Sequence, residues 1–305
     1  MNVDFSLVRL LFLAMFLLPV PALVAALRSW QVQNQVAWWT LALFTIVYAL
    51  TLHLSVVWPQ TSMALRPLMW VLVGITLASG WRLPQLPVGS LTLWPAMLLV
   101  ITVLLLPTLF RAWQGHKIPA DAVALGPVLA GGTFYVEVGG SHPSINYHMN
   151  HNSLRYAVDF IGIGPLGRHA NGILPADPAQ YVIYGAAVLA PMNAVVEKAV
   201  DGLPDIPGPH RDAQNPAGNH IVLLLENDTR IALAHLKQGS IRVKPGQSVK
   251  TGQVMAQVGH SGNSTEPHLH LGVVKGDPWT GEGLPFTIEG RFPIRGMIYQ
   301  KKSGQ

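Results

Sequence analysis

The sequence has no cysteine and few charged side chains: Asp, Glu, Lys and Arg make up only 11% of its 305 residues. The absence of cysteine excludes disulfides and thiolate metal sites, although it fits any cellular compartment. The shortage of charge is confined to one part of the chain. Residues 1–110 hold five charged side chains, and residues 111–305 hold the other 30. The first part therefore has the composition of a membrane region, and the second that of a soluble domain.

The sequence also lacks any lysine- or arginine-rich run. The net charge of +5 divides into +3 for residues 1–110 (4 − 1) and +2 for residues 111–305 (16 − 14). A nucleic-acid-binding surface needs clustered basic residues, so a pI near 9.6 does not by itself predict such a partner. We expect no nucleic acid partner.

Long hydrophobic runs dominate the first part of the chain. Four of them are Leu10–Leu27, Val36–Trp58, Pro67–Trp81 and Leu91–Phe110. A helix needs about 20 apolar residues to cross the hydrocarbon core of a bilayer. The runs therefore predict an all-α transmembrane region of about four helices over residues 1–110, and a lipid bilayer as the partner of that region.

The first run has a second interpretation, as a cleaved signal peptide with Arg9 in its basic region and Ala22–Ala26 at its small-residue end. Three further runs follow it, and no A-x-A cleavage site stands out. Buried helices of a large soluble protein are another alternative, but uncharged runs of this length are rare there. Residues 111–132 are rich in Gly and Pro, and they predict a linker.

Residues 133–305 show short runs of Val, Ile, Leu, Tyr and Phe between clusters of Gly, Pro, Asn and Asp, a pattern that predicts a mainly β domain. The predicted strands are Thr133–Val138, Arg155–Ile161, Ala194–Ala199, His220–Glu226, Arg230–His235, Gln253–Val258 and His268–Val274. Asn227-Asp228 lies between two of them and predicts a tight hairpin turn. No helix is expected after residue 130.

The last predicted strand contains His268-Leu269-His270. Side chains in a strand repeat every two residues, so both imidazoles point to the same face. They can share a metal, or one can bind it while the other handles protons beside it. Two exposed histidines without a function are the alternative, and the spacing alone does not decide between these interpretations.

Asp159 stands inside an apolar predicted strand, eleven positions after His148. A buried aspartate is costly unless it is paired or bound to a metal, whereas a solvent-facing aspartate needs no explanation. Imidazole and carboxylate ligands suit zinc, and catalytic zinc sites use three protein ligands with water in the fourth position. His148, Asp159 and His270 supply such a set. His235 lies at the end of another predicted strand, where a single histidine by itself does not indicate a function.

Several separated elements together resemble the lysostaphin-type (LytM-like) zinc metalloendopeptidases. They are Asn146-Tyr147-His148, Arg155–Asp159, Gly218-Asn219, Ala234-His235-Leu236, a glycine-containing stretch over 243–258, and His268-Leu269-His270. The resemblance covers about residues 130–300 and implies an antiparallel, duplicated hybrid motif-like β-sheet. Many members place the first histidine four positions before the aspartate, where this chain has Arg155. It instead resembles the long-loop subgroup, which favours His148, with His151 as the rival ligand.

The resemblance implies roles for these residues. His148, Asp159 and His270 bind one zinc ion, His268 acts as general base, and His235 hydrogen-bonds the oxyanion or the attacking water, although either of the last two can take the proton. The implied substrate is the peptide cross-link of peptidoglycan. The other histidines of the domain match no catalytic position and are predicted to be surface or turn residues; they include His142, His169, His210, His220 and His260.

We therefore expect a membrane-anchored peptidase with three parts, namely a transmembrane region over 1–110, a linker over 111–132 and a peptidase domain over 133–305. The expected location is a bacterial inner membrane, with the peptidase domain facing the periplasm or cell wall. The distribution of arginine between the loops slightly favours a cytoplasmic C-terminal domain instead, but long domains translocate largely regardless of charge. The sequence does not predict an oligomeric state.

Three alternatives remain open at this point. Some relatives have lost their ligands and regulate other wall enzymes without catalysis. The helices could be a sensor or transporter, although His53 is the only ionisable group well inside one of the apolar runs. The peptidase could also act on a protein rather than on the cell wall.

Overall fold

The computed structural model describes residue 10, residues 13–208 and residues 210–300. The chain divides into two compact units, the first ending at Gln114 and the second beginning at Gly115. Arg9, to which the signal-peptide interpretation assigned a role, lies outside the described residues.

The first unit is helical. Its α-helices are α1 (Val20–Ser29), α2 (Gln35–Ser55), α3 (Leu65–Ala78) and α4 (Leu93–Gln114), and 3-10 segments lie at Trp58–Gln60 and Ser79–Gln85. Asn34 caps α2, because its side chain accepts a hydrogen bond from the backbone N–H of Ala37 at 2.8 Å. Each predicted apolar run thus overlaps a helix.

The prediction of about four membrane-spanning helices needs correction. Among the described residues, only α2 and α4 are long and apolar enough to cross a membrane, with mean hydropathies of 1.5 and 2.2. The first apolar helical stretch covers Leu13–Ser29 and α3 has 14 residues, and at 1.5 Å per residue neither spans a core about 30 Å thick. A turn at residues 16–19 interrupts the first stretch, and Pro19 at the end of this turn is the N-cap of α1. α3 passes directly into the 3-10 segment that starts at Ser79.

The second unit is mainly β, as predicted. Its strands are β1 (Val123–Leu125), β2 (Leu129–Ala130), β3 (Thr133–Val138), β4 (Val158–Gly162), β5 (Ala187–Leu189), β6 (Ala194–Val200), β7 (Asn219–Leu224), β8 (Thr229–Leu236), β9 (Ser248–Val249), β10 (Val254–Gln257), β11 (Leu269–Lys275), β12 (Glu282–Gly283), β13 (Phe286–Ile288) and β14 (Ile298–Gln300). Every predicted strand overlaps an observed one. β1 and β2 lie within the segment predicted as a linker.

A nine-stranded sheet forms the centre of this unit. Its order is β14-β3-β4-β11-β8-β7-β6-β9, with β12 paired to β11, and the pairs within it are antiparallel. A three-stranded sheet (β10-β5-β2) and the parallel pair β1-β13 accompany it. The predicted hairpin between β7 and β8 is confirmed, since Asn227 and Asp228 have φ values of 54° and 57°, as a two-residue turn with left-handed residues requires.

The two faces of the central sheet differ in chemistry. Leu269, Leu271 and Val273 of β11 belong to the hydrophobic core. Because side chains alternate along a strand, His270 and Gly272 face the other side. This second face carries the candidate site.

Candidate metal centre

The register of the central sheet brings two of the predicted ligands together. β11 pairs with β4 so that His270 stands directly opposite Asp159. The two side chains lie on the same face, and Nδ1 of His270 is 2.9 Å from Oδ1 of Asp159. Both residues are buried, with 6% and 2% of their surface exposed. Residues 111 positions apart in the sequence are thus placed side by side by strand pairing alone.

His148 reaches the same carboxylate from a 3-10 turn over Tyr147–Asn150. Its Nε2 is 2.9 Å from Oδ2 of Asp159. The turn is held by Asn146, whose Oδ1 accepts from the backbone N–H of His148 at 3.1 Å and whose Nδ2 donates to the Ala157 carbonyl at 3.1 Å. His151, the rival ligand from the sequence, is exposed. The structure therefore brings His148 to the carboxylate and leaves His151 on the surface.

The three side chains form a cluster that could hold a metal ion. One candidate ligand atom from each of His148, Asp159 and His270 lies within 4.8 Å of the others. A tetrahedral ion with ligands at about 2.0–2.2 Å places its ligand atoms roughly 3.3–3.6 Å apart. The three side chains therefore need only small rotations to close around one ion.

His268 and His235 lie next to this cluster. Nε2 of His268 is 3.7 Å from Oδ1 of Asp159, and the His235 and His268 ring centroids are 4.6 Å apart. All five residues singled out from the sequence thus meet on one face of the sheet. His235 has a φ of 61°, at a register shift between β7 and β8. Such a backbone conformation is uncommon for a residue with a side chain, and a β-bulge re-aims that side chain.

The hydrogen bonds of His235 and His268 fix their proton positions. Nδ1 of His268 lies 2.8 Å from the Glu266 carbonyl oxygen, and Nδ1 of His235 lies 2.9 Å from that of Ser261. A carbonyl oxygen only accepts, so Nδ1 of each imidazole carries a hydrogen and donates it. In the neutral rings, Nε2 is consequently left as a base.

The pKa shifts within the cluster indicate which of its groups are charged and which are neutral. Burial by itself raises the pKa of Asp159, but the nearby His148 and His268 and the hydrogen bonds from His148 and His270 outweigh it and hold this pKa well below its usual value. Burial, reinforced by the electrostatic effect of the neighbouring His268 and His270, lowers the pKa of His235 well below that of a free histidine. The site thus combines an ionised carboxylate with a neutral His235.

Sequence reasoning missed several residues around the cluster. Tyr147 donates its hydroxyl to Oδ2 of Asp159 at 3.0 Å, and its ring centroid is 4.3 Å from that of His148. The prediction that the remaining histidines are surface or turn residues was wrong for His169, His220 and His260, which are 4%, 7% and 1% exposed. A lone histidine gives no periodic signal of burial, so only the structure shows these positions.

A second buried cluster joins two loops beside the site. Nε2 of His169 is 3.0 Å from Oε2 of Glu266, whose backbone carbonyl holds His268. The Glu266 carboxyl is also hydrogen-bonded to that of Glu137. Burial raises the pKa of Glu137 well above its usual 4.5, the charges of Glu266 and Asp159 raise it further, and Arg295 opposes them. The raised pKa favours a protonated Glu137, whose hydroxyl can donate a hydrogen bond to the Glu266 carboxyl.

We expect Glu137→Gln to stabilise the protein increasingly as pH rises above about 4.5. A folded-state pKa above the unfolded value means that the folded chain binds more protons, so stability falls as pH rises from about 4.5 through the folded-state pKa. A glutamine side chain keeps a hydrogen-bond donor towards Glu266 but does not titrate, so the variant does not lose this stability as pH rises. In calorimetry of the full chain, the variant should melt about 2–6 °C above the wild type at pH 8 and level with it at pH 4. Exposed Glu226→Gln is the control; equal melting of all three proteins at pH 8 would contradict the assignment.

The fold and the site together define a class of protein. A mainly β unit that brings two histidines and a carboxylate within reach of one ion, with two further histidines beside them, has the arrangement of a metallohydrolase. Residues 181–280 match the family model of Peptidase family M23, so this segment is similar to the metallopeptidases of that family. The matched segment includes His235, His268 and His270, whereas the other two members of the cluster lie upstream.

Solved structures of similar proteins include two peptidases and the catalytic domain of an M23 protein. Lysostaphin from Staphylococcus simulans is 24% identical, with 42% of this chain and 40% of that chain covered and a TM-score of 0.28. The catalytic domain of a point mutant of the prophage-encoded M23 protein EnpA from Enterococcus faecalis is 17% identical, with coverage of 56% and 94% and a TM-score of 0.30. A zinc-containing peptidase from Vibrio cholerae is 21% identical, with coverage of 52% and 36% and a TM-score of 0.26. The match therefore spans less than half of lysostaphin and of the Vibrio cholerae protein.

Proposed function

We propose that the chain is a membrane-anchored zinc metalloendopeptidase that hydrolyses peptide cross-links of peptidoglycan. The observation that carries the proposal is the cluster of His148, Asp159 and His270, together with two histidines whose Nε2 atoms are available beside it. A regulatory module without catalysis has no need to preserve all five side chains in this arrangement.

The cluster fits zinc by the chemistry of its donors. It offers two imidazole nitrogens and a carboxylate, and the chain has no cysteine that could compete for the ion. Three protein ligands leave a fourth position open, as catalytic zinc sites require. Tyr147 donates to the carboxylate of Asp159, and such an outer hydrogen bond fixes the orientation of a ligand. We assign His148, Asp159 and His270 as the three ligands.

The zinc ion, when bound, supplies activation of a water molecule and polarisation of the peptide carbonyl. The chain's own residues then manage protons and charge. His268 takes the proton of the attacking water at Nε2, since Nδ1 is already committed to the Glu266 carbonyl. The same atom returns the proton to the leaving peptide nitrogen. Neutral His235 donates from Nδ1 to the Ser261 carbonyl, so its Nε2 can accept a hydrogen bond from the attacking water and orient it.

The proposed substrate follows from the family and the proposed location from the helical unit. Bacterial cell-wall peptides are the substrate class that best suits an M23 peptidase domain with the lysostaphin-type motifs. We propose residues 1–110 as a membrane anchor, 111–132 as a linker and 133–305 as the peptidase domain. The apolar helices α2 and α4 support the anchor. Action on the wall requires the domain to face the periplasmic or cell-wall side of a bacterial inner membrane.

His148→Ala should lose the zinc ion, whereas His151→Ala should keep it. His148 is 6% exposed and 2.9 Å from the carboxylate of Asp159, while His151 is exposed three residues away. We expect metal analysis of the purified full-length variants to give about one zinc per chain for His151→Ala and less than about 0.1 for His148→Ala. The reverse order would assign the first ligand to His151.

The function itself is tested with cross-linked muropeptide dimers, purified from muramidase-digested bacterial peptidoglycan. The full chain in detergent should convert dimers to monomers, lose this activity with a chelator and regain it with zinc. His270→Ala should be inactive, and the partly exposed His142→Ala should match the wild type. A zinc-loaded wild type that leaves the dimers intact contradicts peptidoglycan as the substrate, and if it also leaves protein substrates intact the enzyme proposal fails.

A further inference from the structure

A buried histidine outside the five-residue cluster has one ring nitrogen with no hydrogen-bond partner. His220 is 7% exposed. Its Nδ1 lies 2.7 Å from the Gly218 carbonyl oxygen, which fixes a hydrogen on that nitrogen. Nε2 has no partner among the described residues and is shielded from solvent. Burial also lowers the pKa of His220, so the ring is neutral and Nε2 is an acceptor. Buried polar atoms without a partner are rare because they cost free energy.

His220 lies on the same face of the sheet as the candidate metal ligands. Ile221, the next residue of β7, is part of the hydrophobic core, so His220 points to the opposite face. β8 lies between β7 and β11. At about 4.8 Å per strand, the Cα atoms of His220 and His270 are roughly 10 Å apart. The side chains between them on this face are small, including Ala232, Ala234 and Gly272. This distance corresponds to about three residues of an extended peptide.

Trp279 is the aromatic neighbour of His220. The two ring centroids are 5.5 Å apart in an edge-on arrangement, and Trp279 is only partly buried. Its loop is joined to the loop that carries His148. Ser153 donates its hydroxyl to the Trp279 carbonyl at 2.8 Å, and Asn152 donates its amide to the Gly281 carbonyl at 3.0 Å. Trp279 is therefore held by its backbone carbonyl, and its partly buried ring packs against His220.

We propose that His220 and Trp279 form a substrate-binding subsite, in which the indole turns aside and Nε2 of His220 accepts a hydrogen bond from an N–H group of the bound peptide. The inference rests on the proposed peptidase function and extends it. The peptide lies across β8 from the metal ligands, over the small side chains, and packs against the Trp279 ring. His220 thereby contributes to substrate binding and not to the chemical step.

Two substitutions separate this role from a structural one. In His220→Asn the amide nitrogen can still donate to the Gly218 carbonyl, but the acceptor at the Nε2 position is lost. In His220→Gln the amide oxygen can replace that acceptor, but the bond to Gly218 is lost. Kinetics of the zinc-loaded full chain with cross-linked muropeptide dimers give KM and kcat for both variants, and calorimetry gives their melting temperatures.

We expect His220→Asn to raise KM about five- to tenfold with kcat within about twofold of the wild type, because one hydrogen bond of ordinary strength is lost. His220→Gln should keep KM within about threefold. If His220 has only a structural role, His220→Gln should instead have the higher KM and the lower melting temperature of the two variants. This result would overturn the subsite. Equal KM values in all three proteins would also overturn it while leaving the proposed function intact. If the wild-type protein cleaves no dimer, both the proposed cleavage of peptidoglycan and the proposed subsite are contradicted.

Discussion

Asp159→Asn is expected to abolish both zinc binding and hydrolysis. Asp159 accepts from His148 and His270 at 2.9 Å and is the one carboxylate of the cluster. Asparagine keeps the shape of the side chain but removes the negative charge that balances the ion. We expect zinc content to fall from about one ion per chain to below about 0.1, and kcat/KM to fall by a factor on the order of 10⁴.

The matched control for this substitution is Asp177→Asn. Asp177 caps a short turn by accepting from the backbone N–H of Ala179 at 2.9 Å, and asparagine can do the same. This variant should retain its zinc and its activity. Metal analysis and the rate of muropeptide cleavage are measured on the same preparations. An Asp159→Asn protein that still binds one zinc ion per chain would contradict the assignment of this carboxylate as a ligand.

The second large effect is expected from His268→Ala. His268 is not among the three assigned ligands, but its Nε2 stands 3.7 Å from Oδ1 of Asp159 with Nδ1 held by the Glu266 carbonyl. Its loss should leave zinc content unchanged and lower kcat by roughly 10²–10⁴-fold, the usual contribution of a general base. KM should change much less, because the imidazole acts on the proton of water and not on the peptide.

His235→Ala provides the comparison that identifies the base. The two histidines share a tautomer, since each donates from Nδ1 to a carbonyl. If His268 takes the proton, its removal should reduce kcat by at least about tenfold more than removal of His235. Equal losses would indicate that the pair acts as a unit. A larger loss for His235→Ala would transfer the role of base to that residue.

Local patterns predicted the β domain well. The strands over 133–138, 194–199 and 268–274 match the structure closely because alternating or continuous apolar runs between Gly and Asn clusters carry a period-two signal. The hairpin at Asn227-Asp228 follows from residues that tolerate a positive φ. The approach of His270 to Asp159 could be anticipated only through the family resemblance, because strand order is not encoded locally.

Other features could not be predicted from the sequence. The pair of His169 and Glu266 joins positions 97 residues apart and depends on how two loops fold back over the sheet. The burial of His220 depends on Trp279, which lies beyond the end of β11. The number of helices able to span a membrane was overestimated, because hydrophobicity shows where a run is apolar but not how far a continuous helix extends within it: α3 ends at Ala78, where a 3-10 segment begins.

The most direct test of the account is to locate the metal. Crystals of the zinc-loaded protein should give one anomalous peak at the zinc absorption edge within the cluster. The peak should lie about 2.0–2.2 Å from Nε2 of His148, an Asp159 carboxylate oxygen and Nδ1 of His270. A peak elsewhere in a protein that cleaves muropeptides, or a fully active protein with no peak, would contradict the central claim.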